Sequence, residues 1–423
     1  MADSIQTPLP GAPHPRGSAL APLREPLFRS LWMAAVISYT GTWMQNVGAG
    51  WLMTQLTMSP LMVSLVQAAS TLPVFLVILP AGALADMVDR RRLLLVTQAW
   101  MVVAAGALGI ITLMGLTTPW VLLAFTFFLG IGAVMNDPAW QAITPEIVCA
   151  ENHAPAVALN SVGFNVARAV GPALGGLVIA ITSSGIAFLM NAVSFFGVIF
   201  FLYRWKRPAS DQEATERVLE SMRSGLRYVR SAPLVHCVLI RTGAFSVAAS
   251  ALLALLPIIA RHSEQAATGY GLLLGSFGLG ALAGAAVLSR MRTYFSVDRV
   301  VAAAVVVFAL STFAAGNTHI FSWLLFVLFV SGAGWIAILA CLNVAAQTMS
   351  PPFMRARALS TYLLVLQGGM ALGSAAWGAL ATKYGVPATM LCSSLALLLG
   401  LTTVRKYPLN SSELDLAPSV VRD

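Results

Sequence analysis

Twelve apolar runs, each about as long as a bilayer-crossing helix, leave this chain few ways to fold. They lie near residues 29–56, 61–85, 93–116, 119–142, 156–182, 185–203, 234–260, 267–289, 298–315, 320–345, 356–382 and 387–404. About twenty helical residues cross a hydrocarbon layer of about 30 Å, and a helix satisfies its own backbone polar groups there. Composition agrees with the pattern. Hydrophobic residues make up 58% and charged residues 10%, against about 25% charged in a soluble domain. A chain of 423 residues has no aqueous core large enough to hide that much apolar surface. The expected fold class is an all-α membrane protein with the bilayer as its solvent.

The formal net charge of +9 does not point to nucleic acid, because its placement is topological. Numbering the runs in order, basic residues crowd one side: Arg24 and Arg29, Arg90 to Arg92, Arg204 to Arg207, Arg217 to Arg230, Arg290 to Arg299, Arg355, Arg357, Arg405 and Lys406. The loops of the other side carry only Arg261 and Lys383. An excess of Lys and Arg marks the cytoplasmic side, so both termini are expected there. No basic patch with interleaved aromatics suggests a nucleic-acid partner. The first apolar run is full length and begins well into the chain, which reads as a span rather than a cleavable signal. Cys149, Cys237, Cys341 and Cys392 show no metal-ligand spacing and read as free thiols.

The polar stretches divide the chain. Residues 1–26, rich in proline and small residues, read as a disordered cytoplasmic tail. Residues 27–204 form a first six-helix bundle and 234–405 a second, with 406–423 as a closing tail. Between them, 205–233 turns polar, and Val218, Met222, Leu226 and Val229 fall at helical spacing. That pattern predicts an amphipathic linker helix at the membrane surface. The halves also echo each other in sequence. Gly280-Ala281-Leu282-Ala283 repeats Gly82 to Ala85 at an offset of 198, with Arg290 and Arg292 following as Arg90 and Arg92 do. At an offset of 206, Gln347 matches Gln141, Asn343 matches Asp137, and Ser350-Pro351 matches Thr144-Pro145. Parallel six-helix repeats place a substrate cavity between them, near the middle of the bilayer.

Several motifs carry a family likeness. Gly82 to Arg92 resembles the G-x-L-a-D-r-x-G-R-R loop signature of the major facilitator superfamily. Gly171-Pro172-Ala173-Leu174-Gly175-Gly176 resembles its antiporter signature on the fifth helix. Gly41-Thr42-Trp43-Met44-Gln45, Gly50-Trp51-Leu52, Asn160 and Ala167-Arg168 resemble the bacterial branch of enterobactin exporters and transmembrane secretion effectors. The likeness covers nearly the whole chain and implies the major facilitator fold, with twelve transmembrane helices in two six-helix pseudo-repeats. Two positions depart from the loop signature: Met87 stands where a basic residue is common, and Asp89 where glycine is common. The fourth helix lacks the arginine-glycine pattern of many drug antiporters, so a proton relay through that arginine does not carry over.

The resemblance implies a gating role for Gly82, Asp86, Arg90 and Arg91. Glycine permits close helix approach, and the acid pairs with Arg90 or a facing helix N-terminus when the halves latch. The plainer reading is a topology determinant, which the arginines supply in any case. Asp137 and Arg168 are buried-span charges on adjacent helices. Charges at that depth are paired or face water. A structural ion pair is one reading; the other makes them proton-coupling residues, with Asp137 protonated during transport. Pro138 complicates the geometry by weakening the helix there. Gly171, Pro172, Gly175 and Gly176 remove side chains from one helix face and favour tight packing. Candidate cavity residues are Gln45, Asn46, Asn165, Ser246, Asn343, Gln347 and Gln367, with Trp43, Trp51, Phe245 and Tyr362 as aromatic walls; amides also glue helices together, and aromatics often face lipid. Arg241, near the start of the seventh run, reads as a side chain snorkelling to lipid headgroups.

These observations predict a secondary transporter: a proton-coupled exporter of an amphiphilic small molecule, a drug or a siderophore, working as a monomer by alternating access in a bacterial inner membrane. The few charges in the spans favour an amphiphile over a strongly charged substrate. The alternatives are a nutrient or metabolite importer on the same scaffold and, from another class, a transport-inactive membrane sensor. No P-loop, metal cluster or nucleophile motif is present, so neither an enzyme nor a cofactor is expected.

Overall fold

The computed structural model describes residues 19–205, 233–261, 265–351, 354–407 and 409, with the side chains of 79, 82, 83, 85–87, 233, 234 and 405 outside the description. Twelve long helices account for most of it: α1 (Pro26–Leu56), α2 (Pro60–Met87), α3 (Arg90–Leu113), α4 (Pro119–Ile143), α5 (His153–Ile181), α6 (Ser184–Arg204), α7 (Pro233–Arg261), α8 (Ala266–Tyr294), α9 (Val297–Asn317), α10 (Phe321–Thr348), α11 (Arg355–Tyr384) and α12 (Val386–Gly400). Eleven are long and apolar enough to cross a membrane, α12 by way of its continuation to Val404. The twelfth, α1, is long enough but carries Ser38, Thr40, Thr42, Gln45 and Asn46, which lower its hydropathy.

Local chemistry sets the helix ends. Proline opens α1, α2 and α4, where its missing N–H removes no intrahelical bond. Thr118 and Ser183 cap α4 and α6 through their hydroxyls. Gly385, at φ +83°, turns the chain between α11 and α12 in a conformation that disfavours a side chain. Apolar residues cover inward and outward faces alike: Leu108 and Phe308 are fully buried, whereas Val103 and Leu372 are each 70% exposed. Helices apolar all round are stable only where the surroundings are apolar too.

The two halves repeat one packing pattern. In the first, α1 packs on α5 and α6, α2 on α4, and α3 on α4 and α6. In the second, α7 packs on α11 and α12, α8 on α10, and α9 on α10 and α12. Two broad contacts join them, α2 with α11 and α5 with α8. Pro60 begins α2 and Ala266 begins α8, an offset of 206. The Gly280–Ala283 echo, offset by 198, therefore lies about two helical turns out of register with the structural repeat. Gly280 sits mid-helix, with the backbone carbonyl of Phe329 on α10 where a side chain would go.

Three expectations shift at the ends of the bundles. Ala21–Arg24 form a 3-10 turn leading into α1, with Pro22 buried, so order begins before residue 26. At the other end, Thr402–Lys406 continue helically beyond α12. Leu409 is buried, its N–H donating to Asp298 at 3.0 Å, so the closing segment starts as docked structure. Arg241 does not snorkel: it is 4% exposed, pairs with Asp298 on α9 and donates to the Tyr407 carbonyl at 3.2 Å. The linker helix expected at 205–233 lies almost wholly outside the described residues.

Candidate functional site

The face carrying the α2–α3 loop and the start of α1 is called the basic face here. Its loop residues tie helices to one another. Asp89, standing where the loop signature commonly has glycine, caps α3: its carboxylate accepts from the Arg92 N–H at 2.8 Å. Arg90 pairs with Glu146 at 2.8 Å and donates to the Ala142 carbonyl at 3.3 Å, fastening α3 to the end of α4. Arg91 donates to the carbonyls of Leu202 and Tyr203 at 2.8 and 2.7 Å, satisfying the C-terminal end of α6. Gly82 and Asp86 fall in the last turns of α2, and their side chains lie outside the description.

Contacts between the halves gather in the middle of the fold and toward the opposite face. The Leu61 N–H donates to the Thr382 hydroxyl at 3.1 Å, and Arg261 donates to the Thr54 carbonyl at 2.7 Å. The glycines of the α5 motif serve two neighbours. A methyl on Gly171 would meet Trp43 Cβ at 2.6 Å, and one on Gly175 would meet Met44 Cα at 2.8 Å, both on α1. One on Gly176 would meet the Ala267 carbonyl oxygen at 2.7 Å and Gly271 Cα at 2.9 Å, on α8 of the other half. Pro172 also faces α8, its carbonyl oxygen lying against Gly271. Toward the basic face, by contrast, Val157, Ser161 and Phe164 of α5 are exposed.

A cavity of about 320 Å³ lies between the halves, lined from α1, α2, α5, α7, α8, α10 and α11. Trp43, Asn46, Arg168 and Gln367 line it, as does Pro172. Gln67, Ser70, Thr71, Tyr270 and Trp335 join them without having been singled out from sequence. Gln67 left a usable signal, a lone amide in an otherwise apolar part of α2; two aromatics among many left none. The hydroxyls of Ser70 and Thr71 are turned back to carbonyls of their own helix. Among the described residues, the side-chain amides of Asn46, Gln67 and Gln367 have no hydrogen-bond partner, which leaves them available to a ligand. Arg168 has no acidic partner there either; its guanidinium lies 5.8 Å from the centroid of the Trp43 ring. The cavity thus combines aromatic and aliphatic walls with three free amides and one cation.

Asp137 lies elsewhere. It lines a second chamber of about 140 Å³ inside the first half, enclosed by α1, α3, α4 and α6 with Phe164 of α5. The ion pair with Arg168 weighed from the sequence is absent. Phe164 stacks edge-on against Tyr39 at 5.4 Å and against Trp43 at 6.4 Å. Tyr39 and Phe164 line the chamber with Asp137, whereas Trp43 and Arg168 line the central cavity. Asp137 is exposed to the chamber and has no hydrogen-bond or ion-pair partner among the described residues.

The other candidates divide by helix phase. Gln45 is buried and accepts from Asn191 of α6 at 2.5 Å, so it joins helices rather than lining the cavity. Neighbouring Asn46, about 100° around the helix, faces the cavity. Ser246 is fully buried beneath Gly369 on α11 and bonds the Gly243 carbonyl at 3.2 Å. Asn343 and Gln347 pair with each other on α10 at 2.6 Å. Asn165 bonds back to the Ser161 carbonyl at 2.8 Å, on the exposed α5 stretch. Trp51, Phe245 and Tyr362 are core residues; Phe245 packs with Phe308 and Trp335 at 5.6 and 5.5 Å.

Comparison with known proteins agrees with this architecture. The chain is 29% identical over 413 residues to the multidrug efflux pump Tap of Mycolicibacterium fortuitum, covering 93% of this chain and 98% of Tap. It is 25% identical to the enterobactin exporter EntS of Citrobacter koseri, over 84% of this chain and 85% of EntS. A match to the staphyloferrin A transporter of Staphylococcus aureus, at 26% identity, spans 164 residues, 38% of this chain and 41% of that one. Among solved structures, a bacterial homologue of the lysosomal transporter Spinster superposes with a TM-score of 0.73 at 12% identity, over 91% of this chain and 97% of that one. The nucleoside transporter NupG superposes with a TM-score of 0.68 at 11% identity, over 90% and 99%. The structural likeness fixes the fold as that of the major facilitator transporters. The model of the transmembrane secretion effector family matches residues 17–421, nearly the whole chain. This chain therefore belongs to that family, a multi-pass membrane transporter and not an enzyme.

Proposed function

We propose that this protein is a proton-coupled exporter of amphiphilic small molecules, a drug or a siderophore, acting as a monomer by alternating access in a bacterial inner membrane. The observation that carries the reading is the central cavity: seven helices from both halves enclose about 320 Å³ of mixed aromatic, amide and guanidinium lining. Such a site suits a ligand with an apolar body and a few polar groups, an anionic one beside Arg168 included. Relatives named as exporters of a siderophore and of drugs support the direction. With the basic face in the cytoplasm, as the arginine distribution favours, the contacts of Leu61 with Thr382 and of Arg261 with Thr54 hold the halves together on the outer side. An exporter would load its substrate in that state.

Rocking the halves would require the contacts at Gly176–Gly271 and Leu61–Thr382 to part while the basic ends close. Asp137 supplies the coupling: an unpaired carboxylate inside the first half takes up a proton from outside and releases it inside as the cycle turns. The test is retention of fluorescent cations, antibiotics and siderophores in exporter-deficient bacterial cells making this protein, with and without a protonophore. Lower retention, lost when the protonophore is added, is expected. Higher retention would make it an importer. Asp137→Asn should abolish protonophore-sensitive uphill export, and the wild-type rate in that variant would remove Asp137 from the coupling.

A further inference from the structure

We propose that a pocket in the second half, at the end opposite the basic face, is a phospholipid site. It takes one acyl chain between α7, α9, α10 and α12 and holds the phosphate at its rim, independently of the direction and coupling of transport. The pocket measures about 290 Å³. Ile258, Ile259, Ala315, Leu324 and Val386 line it, and Thr318, His319 and Pro387 complete the wall. His319 and Pro387 are exposed, whereas Ala315 and Leu324 are buried, so the mouth lies at the helix ends and the floor within the bundle. Water needs two to four polar partners to stay in such a space, while apolar molecules enter dry cavities of about 150 Å³.

The first half shows why the space exists. There α3 and α6 cross on two glycines. A methyl on Gly109 would meet the Gly185 carbonyl oxygen at 3.1 Å, and one on Gly185 would meet the Gly109 carbonyl oxygen at 3.2 Å. Leu113 is laid over the crossing, 2.9 Å from the place of the Gly185 methyl. In the second half, where α9 meets α12, the space beside Gly316 is taken by the Met390 side chain. The nearest backbone atom of α12 is Pro387 Cα, at 3.8 Å. This contact runs through a side chain rather than backbone to backbone, and the helix ends stand apart around the pocket.

Depth and charge identify the occupant. Leu324 follows Trp323, whose ring stacks on Phe326 at 5.3 Å, and both rings are exposed. Exposed aromatics of this kind sit at the headgroup level of a bilayer, so the pocket opens there and runs toward the hydrocarbon. At its rim, His319 has no hydrogen-bond or ion-pair partner among the described residues. Lys383 stands three residues before Val386, within about 10 Å of it along the chain. Its ammonium lies 5.1 Å from the Tyr384 ring centroid and meets no acid among the described residues. The corresponding loops of the first half, 114–118 and 182–183, carry no basic residue. A phosphate with an apolar chain attached is what a membrane interface offers to such a slot, and basic groups there attract it.

The test uses full-length protein in vesicles of phosphatidylethanolamine and phosphatidylglycerol, with a trace of phosphatidylglycerol carrying a diazirine in one acyl chain. After illumination, adducts are mapped by peptide mass spectrometry. Labelling is expected at Ile258, Ile259 and Leu324, besides outward-facing positions such as Val103 and Leu372. Val386→Trp and, separately, Thr318→Trp fill the slot and should cut pocket labelling about tenfold, while Val103 and Leu372 stay labelled. Lys383→Ala should cut it about fivefold, the attraction of one basic residue for an anionic headgroup. Size-exclusion profiles and the persisting outward labels confirm that each variant is folded. Labelling of outward-facing positions alone in wild-type protein would overturn the proposal, as would pocket labelling that neither tryptophan reduces. A phosphate-free diazirine diglyceride that labels the pocket equally well, with no response to Lys383→Ala, would make the pocket a passive apolar void and overturn it too.

Discussion

In the first half, the space between α1, α3, α4 and α6 is a chamber walled by Ser38, Tyr39, Gln98, Asn136, Asp137 and Trp140. In the second half, 206 positions on, those residues become Ala244, Phe245, Ala304, Leu342, Asn343 and Ala346, and Ala35 becomes Arg241. The backbone plan is the same in both, with each helix meeting its counterpart's partners. The contents differ in kind. One copy keeps polar groups that have no complete set of partners, with a carboxylate facing open space. The other is packed around Phe245, Phe308 and Trp335 and closed by a buried ion pair with the start of the terminal segment laid over it. A duplicated bundle can thus give its halves separate duties, with one holding chemistry that changes during a cycle and the other serving as a rigid reference.

The contrast is broken most severely at Arg241. Arg241→Ala strips Asp298 of its buried partner, and such losses cost about 3–5 kcal/mol. The thermal midpoint of purified protein should fall well below wild type. An unchanged midpoint would mean that the second half is not built on this pair. A smaller effect is expected where the halves touch. Gly176→Ala drives a methyl against the Ala267 carbonyl and Gly271 Cα, both backbone atoms that cannot rotate away, for about 1–3 kcal/mol. Gly368→Ala, at the α2–α11 contact, meets the ring of the exposed Phe75 instead, which can turn aside, so it should cost less. Export rates and thermal midpoints of the two variants should keep that order if the α5–α8 contact is the stiffer hinge. Arg91→Ala removes two bonds to the end of α6 and should cost about 1 kcal/mol, read as faster hydrogen exchange confined to that last turn.

Much of this was legible in the sequence, for physical reasons that also explain the rest. Helices in a bilayer must be long and apolar, so runs such as 119–142 and 298–315 match α4 and α9 to within a few residues. Proline and small residues at helix ends, and the Gly171 to Gly176 motif, write packing directly into composition. Which side of a helix faces a cavity is not written there. Gln45 and Asn46 are adjacent amides, yet one meets Asn191 and the other the cavity. Only the position of α6 decides between them. The burial of Arg241 is hidden for the same reason: its partner Asp298 lies 57 residues away on α9. Asp137 and Arg168 are legible as costly charges, but that they line two different cavities depends on how α1, α4 and α5 pack.

The smallest expected effect on stability is the one that most sharpens the comparison. Asp137→Asn removes a charge that has no partner among the described residues, so nothing in the folded state is left stranded. Its cost should lie within about 0.5 kcal/mol of zero, as for substitutions away from paired or packed groups. Relief of an unpaired carboxylate within a membrane span pushes the sign toward stabilisation. The corresponding change in the other half, Asn343→Asp, keeps the acceptor for Gln347 but places a new charge within a membrane span, and should destabilise. Thermal midpoints of the two variants therefore move in opposite directions if the halves have diverged as described. Destabilisation of both would mean that Asp137 holds structure in the first bundle, and its vacancy beside Tyr39 and Gln98 would then be a feature of packing rather than a place for a proton.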